Sequence, residues 1–214
     1  MPDVYRVLGN GLVNSSSGSA QTVYTPLSGQ KATIMKSMIL NNSSASAVIV
    51  NVIVNGYYLL FGYSIKPGES IVVPVLDQVL SGTGDLIRIG ASVSSVVSYY
   101  ISGVEYDTND SSGDYYYARR MARTSVAANE GGKLIVPQSN TKRIIKSLVV
   151  ANVNGSEVTL GVSFAGTSVV SGFKLKAYDT IVVPTFDAVL EDGQTIACSA
   201  SGLVSVHVSG KEVV

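Results

Sequence analysis

The feature that most constrains this chain is that it repeats itself. Ile34-Met35-Lys36-Ser37-Met38-Ile39-Leu40 returns as Ile144-Ile145-Lys146-Ser147-Leu148-Val149-Val150, 110 positions later. At the same offset Ser70-Ile71-Val72-Val73-Pro74 returns as Thr180-Ile181-Val182-Val183-Pro184, and Asp77, Val79 and Leu80 return as Asp187, Val189 and Leu190. Ile87 then matches Ile196, and Ser102-Gly103-Val104-Glu105 matches Ser209-Gly210-Lys211-Glu212, once small deletions are placed in turns, where they are tolerated. Several matches in one order at one offset mark the duplication of a single folding unit.

The duplication divides the 214 residues into an N-terminal arm (1–20), a first repeat (21–106), a connector (107–131) and a second repeat (132–214). Asn14 to Ser19 has the composition of a flexible segment. The connector opens with Asp107-Thr108-Asn109-Asp110-Ser111-Ser112-Gly113-Asp114, an exposed-loop composition, and continues through Tyr115-Tyr116-Tyr117 to Arg119, Arg120 and Arg123. That second part is too aromatic for a plain linker and is expected to pack on something. Tyrosine and arginine dominate protein interfaces. Tyr5, Arg6, Tyr115, Tyr116, Tyr117, Arg119, Arg120 and Arg123 are therefore the candidate interface residues.

Each repeat reads as strands. Val48, Val50, Val52 and Val54 alternate with Ala47, Ile49, Asn51 and Ile53, a β-branched run of strand length. Asn55-Gly56 follows, the signature of a type I′ hairpin, whose two central residues both need positive φ. In the second repeat Val158, Leu160, Val162 and Phe164 alternate with Thr159, Gly161 and Ser163, and Ala165-Gly166 stands where Asn55-Gly56 stood. Lys66-Pro67-Gly68-Glu69 is a turn, replaced by Lys176-Ala177-Tyr178-Asp179 in the second copy. The spacing of turns predicts seven or eight strands per repeat. Part of 115–127 is the only candidate helix, with Gly131-Gly132 to end it. The expected fold is all-β: two tandem homologous antiparallel β-sandwich domains, each able to bury a small core of its own.

Composition narrows the function classes. Charged residues make up 14% of the chain, well under the usual quarter, so the surface must be largely Ser, Thr, Asn, Gly and Tyr. Such a surface is easily dehydrated, which suits permanent contact with neighbours. Fifteen basic residues balance fifteen acidic ones, so there is no general field for nucleic acid or anionic membrane. The apolar stretch Ala47 to Ile65 alternates and is broken by Asn51, Asn55 and Gly56, which fits two strands rather than a membrane helix. Met1 to Gly9 lacks the basic and apolar regions of a secretory signal.

Residues that could carry chemistry are few. His207 is the only histidine and Cys198 the only cysteine, so neither a disulfide within the chain nor a His/Cys metal cluster can form. Valines 204, 206 and 208 share one strand face and His207 takes the other, while Cys198 shares a face with Ile196 and reads as a core residue. Asp77 with Asp187 and Glu105 with Glu212 recur between repeats. They read as turn aspartates and strand-end charges, with a calcium or acid/base site as the weaker alternative. Asp107, Asn109, Asp110 and Asp114 come nearest to a calcium loop but lack the rest of the pattern. No metal, cofactor or catalytic set is expected.

Tyr5-Arg6-Val7-Leu8-Gly9-Asn10-Gly11, then Thr22-Val23-Tyr24-Thr25-Pro26, then Ile34 to Asn42 resemble small β-sandwich structural proteins of tailed-phage virions. Ile65-Lys66-Pro67-Gly68-Glu69-Ser70, Gly84-Asp85-Leu86-Ile87-Arg88-Ile89 and Ser102-Gly103-Val104-Glu105 continue the resemblance. Leu134 to Pro137, Ile144 to Asn152 and Gly193 to Ile196 carry it into the second repeat. It implies a jelly-roll-like sandwich in a virion, in the tail, baseplate, neck or as a capsid decoration. The implied partners are other virion proteins and copies of the chain itself; the 110-residue duplication, by which three chains would present six similar domains, adds the expectation of a trimer or hexamer. It implies no enzymatic activity. An alternative expectation is a host-glycan or receptor-binding module, with Tyr57, Tyr58, Tyr99, Tyr100 and Tyr115 to Tyr117 stacking on sugars.

Overall fold

The structure, a computed structural model, describes residues 3–14, 19–29, 31–75, 77–82, 84–136, 140–183, 185 and 187–213. Residues 15–18 of the expected flexible arm lie outside the described residues, as do Pro137 and Pro184 of the repeat motifs. The described chain is all-β, with no helix among its elements.

The first half holds nine strands: β1 (Val4–Leu12), β2 (Gln21–Tyr24), β3 (Lys31–Asn42), β4 (Val48–Val54), β5 (Tyr57–Ile65), β6 (Ser70–Val72), β7 (Gln78–Ser81), β8 (Ile87–Ala91) and β9 (Val97–Asp107). The second half repeats them in order: β10 (Ala118–Val126), β11 (Lys133–Val136), β12 (Lys142–Asn152), β13 (Val158–Phe164), β14 (Thr167–Leu175), β15 (Thr180–Val182), β16 (Ala188–Leu190), β17 (Ile196–Ala200) and β18 (Val204–Val213). Each half makes two antiparallel sheets. In the first half one sheet runs β1-β9-β3-β6, with β7 also on β3, and the other runs β2-β8-β4-β5. In the second half they run β10-β18-β12-β15, with β16 also on β12, and β11-β17-β13-β14.

The two sheets of each half share a core. Met38, Leu40 and Ile101 meet Val48, Val50, Val52, Ile87 and Ile89 in the first. Leu148, Val150, Val206 and Val208 meet Leu160, Val162, Ile196 and Cys198 in the second. Each such side chain, fully buried, contributes about 1.5–3 kcal/mol against the entropy of ordering the chain.

Nine strands per half exceed the seven or eight expected, and the reason lies in two segments. Val4–Leu12 was expected in an arm, yet it lies antiparallel to β9 as an outer strand of the sheet. Ala118–Val126, within the connector and the only candidate helix, lies on β18 in the equivalent way. Neither has an apolar period of two, because β1 is exposed along much of its length and the outward residues of β10 are arginines. Both strands also carry a bulge, at Val7/Gly9 and Arg120/Ala122. On the other side of β9 and β18, β3 and β12 are bulged at Met35/Ser37 and Ile145/Ser147, and there a glycine is required opposite. A Cβ on Gly103 would stand 2.2 Å from the Ile34 carbonyl oxygen, and one on Gly210 would stand 2.1 Å from that of Ile144.

The duplication extends to individual bonds. The Asn42 side-chain amide donates to the carbonyls of Ser46, Ile65 and Lys66, and that of Asn152 donates to those of Ser156, Leu175 and Lys176. Each ties two loops together at one end of its half. The expected hairpins form, with positive φ at Asn55 and Gly56 (48° and 84°) and at Ala165 and Gly166 (49° and 81°).

Candidate assembly interface

The most elaborate polar site in the molecule is the junction between its halves. On β18 the valines 204, 206 and 208 enter the second core, so Ser205, His207 and Ser209 face the other way. A polar sheet face of this kind ordinarily meets water. Here it is fully buried, because β5 and β7 of the first half lie across it. Val149 of β12 points the same way and packs into the first half's core, as does Val182 of β15.

Most of the polar groups taken from water find a partner, as burial requires, the exception being Gln78 Oε1. The Gln78 amide donates to the Ser147 hydroxyl (2.8 Å), and the Val79 amide donates to Ser209 Oγ (3.1 Å). The Thr180 hydroxyl donates to the Leu59 carbonyl (2.8 Å), and the Tyr58 amide donates to Ser205 Oγ (3.4 Å). Phe61 lies against the Tyr178 ring, with centroids 5.7 Å apart. Tyr178 holds φ at 60°, where the first copy has Gly68, so the second copy places a ring at the junction on a backbone that favours glycine.

Charge is buried there as well. Asp85, from the turn before β8, accepts from Arg120 Nη1 (2.6 Å to Oδ2) and from Arg123 Nη1 (3.0 Å to Oδ1), both across the junction. It also accepts from the Ser81 amide at 2.8 Å. The second nitrogen of the Arg123 fork donates to the Val79 carbonyl at 3.2 Å. Burial pushes the Arg123 guanidinium down to about 10, with Asp85 opposing, so it stays charged at neutral pH.

His207 has both ring nitrogens committed. Nε2 donates to the Tyr58 carbonyl (3.0 Å), and Nδ1 accepts from Arg123 Nε (3.3 Å). That arrangement needs the neutral ring. Burial, and secondarily the Arg123 charge, push it down to about 3. Its place opposite the valines follows from strand parity, and its surroundings give it a structural part in the junction.

The remaining interface candidates form a second group beside it. Tyr5 and Tyr115 join their hydroxyls at 3.0 Å and their rings edge to face. Arg6 pairs with Glu105, and Arg119 with Glu212, at matching places in the two halves. Arg119 also donates to the Tyr116 carbonyl at 2.7 Å, and the Tyr116 and Tyr117 rings meet edge to face. So the structure gathers Arg120 and Arg123 into the junction, and Tyr5, Arg6, Tyr115 to Tyr117 and Arg119 around the β1 and β10 ends. The reading of the sequence missed Gln78, Asp85, Val149, Tyr178 and Thr180. For Asp85 a signal was available, since Gly84-Asp85 in one copy stands against Gly193-Gln194 in the other.

The other candidates separate. Cys198 is in the second core, its thiol pushed up to about 12 by burial. Asp77 and Asp187 sit at left-handed turn positions (φ 53° and 60°) and pair with Lys36 and Lys146 at 2.9 and 2.7 Å. Asp107 and Asp110 cap the amides of Asn109 and Ser112. Among the described residues no group of three or more His, Cys, Asp or Glu is placed to hold a metal. A concavity of about 480 Å³ is lined by Thr159, Ser163, Ser168, Ser199, Ser201 and neighbouring glycine and apolar residues, with no titratable side chain. The tyrosines considered for sugar stacking are dispersed: Tyr57 and Tyr58 border the junction, and Tyr99 packs beside Gly9 and Gly11.

No family model and no curated protein matches the sequence. Among solved structures the chain is similar to the major capsid protein P2 from bacteriophage PM2, at 14% identity over 98% of this chain and 97% of that one, TM-score 0.39. It is also similar to PNGF-II, at 10% identity over 99% and 66% of the two chains, TM-score 0.45. A third is a chain of the Sulfolobus turreted icosahedral virus, at 12% identity over 99% and 91%, TM-score 0.28.

Proposed function

We propose that this chain is a structural component of a virion, acting through contacts with copies of itself and with other virion proteins rather than through catalysis. The single observation that carries this is the junction. A sheet face bearing Ser147, Ser205, His207 and Ser209 is buried against a second copy of the same unit, with its polar groups satisfied. The unit is thus built to dock on its own kind. The resemblance to tailed-phage β-sandwich proteins supports the finer reading, a tail, baseplate, neck or capsid-decoration protein. Two tandem jelly-roll-like sandwiches are supported by the strand order, in which the first and last strands of each half are neighbours in one sheet. Three chains would present six similar units, and a trimer or hexamer is the proposed assembly.

Mass spectrometry of purified particles from the producing host tests this. The chain is expected at a fixed copy number per particle. Its presence in the lysate and absence from particles would overturn the reading. Glycan binding lost on replacing Tyr115 to Tyr117 would favour a receptor-binding role in its place.

A further inference from the structure

The chain contains one docking event between its halves, and it carries the unused complement of both surfaces. The β5/β7 surface of the first half is covered, and its equivalent on the second half, β14/β16, is open. The outer face of the β12/β18 sheet is covered, and its equivalent on the first half, the outer face of β3/β9, is open around Ile39 and Tyr100, while its other end at Ile34 and Tyr106 lies under Tyr115 and Ala118. The numbers are consistent across the set. Leu59 and Val79 are 0% and 3% exposed, while their counterparts Val169 and Val189 are 48% and 54% exposed. Val149 and His207 are both 0% exposed, while their counterparts Ile39 and Tyr100 are 40% and 43% exposed. Val72, the counterpart of the packed Val182, is 72% exposed.

We infer that a second copy of this chain covers these surfaces, its β14/β16 surface docking on the outer β3/β9 face of the first half and repeating between chains the junction seen within one. This deepens the assembly role proposed above and rests on it. The charge pattern supports the choice of occupant. The register of β1 and β10 on their neighbours puts Val7 where Arg120 stands and Asn10 where Arg123 stands. Gln194 stands where Asp85 stands, accepting from the Glu191 amide as Asp85 accepts from Ser81. Both open surfaces have therefore lost the charges of the internal junction together. An acidic or basic group surviving on one side alone would be buried without a partner, at high cost. What remains at the centre of both sides is apolar and neutral, Ile39, Val72 and Tyr100 facing Val169 and Val189, with Lys36 beside one surface and the oppositely charged Asp187 beside the other. The two surfaces differ from each other, so the contact is head to tail, and successive copies close into a ring or extend.

The test uses the full chain with each surface blocked in turn. Sedimentation of the wild type is expected to show an oligomer. Ile39→Asp and Val189→Asp lie on exposed positions and are expected to keep the wild-type melting temperature while each alone sediments as a monomer. Mixed in equal amounts they are expected to form a one-to-one dimer, through the one intact pair of surfaces. A wild type that stays monomeric at its highest soluble concentration, or variants that keep the wild-type mass, would overturn the inference. So would a mixture that remains monomeric. Cysteine pairing gives an independent reading that does not depend on how the charged variants fold. Gln78 and Ser147 touch inside the chain, and their counterparts are Ala188 and Ser37. Ser37→Cys mixed with Ala188→Cys is expected to give a disulfide-linked dimer under mild oxidation, and neither variant alone is. A Ser37→Cys protein that links to itself would show a symmetric contact and overturn the proposal. Particles that contain the chain while these tests fail would leave the virion role standing and this contact refuted.

Discussion

The two halves of this molecule agree in what holds a half together and differ in what each half touches. The strand order, the Asn42 and Asn152 loop ties, the bulge glycines Gly103 and Gly210 and the Lys36–Asp77 and Lys146–Asp187 pairs are common to both. The outward faces diverge: His207 against Tyr100, Arg123 against Asn10, Asp85 against Gln194. The comparison separates residues that make the unit fold from residues that choose its neighbour. A position set by backbone geometry has one solution, whereas an outward position is set by whatever covers it.

The largest expected effect is at the charged contact. Asp85→Ala leaves Arg123 buried without its carboxylate and is expected to cost about 3–5 kcal/mol. Gln194→Ala removes the same kind of turn bond with no buried charge behind it and is expected to cost under about 1 kcal/mol. Urea midpoints of the two variants measure the difference, and equal losses would break the assignment of these positions to covered and open surfaces.

Asn42→Ala and Asn152→Ala each remove a buried side chain tying three carbonyls, so each is expected to lose about 2–3 kcal/mol. A wide gap between the two would show that one half depends on its ties far more than the other.

The histidine part of the pH response should belong to one half alone. His207 is held neutral down to about 3 in the folded chain, below its ordinary 6.5. The unfolded chain therefore binds the extra proton between those values, and folding stability present above pH 6.5 is lost as pH falls towards 3. The expected loss is about 1.4 kcal/mol for each pH unit in that window. Thermal melts at pH 7 and pH 5 check it, with His207→Gln expected to flatten the slope.

The smallest expected effect sharpens the comparison at a turn. Ala165 holds a positive φ that Asn55 tolerates better, so Ala165→Asn is expected to raise stability by about 0.5–1 kcal/mol, read as a shift in melting temperature.

Much of the fold was legible from the residues. Alternation gave the strands around Asn55-Gly56 and Ala165-Gly166, and strand parity placed Cys198 in the core and His207 on the opposite face. β1 and β10 were not legible as strands. Their sides carry no apolar period, since Tyr99 fills the space over Gly9 and Gly11 and a buried ion pair takes the place of apolar packing at Arg120 and Arg123. Of the candidate interface, the arginines were readable as a type but their partner was not, because Asp85 lies 35 and 38 residues away from them.

By itself the sequence determined the unit, its duplication and its inward faces, because burial of a core imposes a period that a strand must obey. Only the tertiary structure decided which outward faces are covered. That choice depends on which copy sits beside which, and a polar face satisfied by Ser147, Ser205 and His207 reads in sequence like a face satisfied by water.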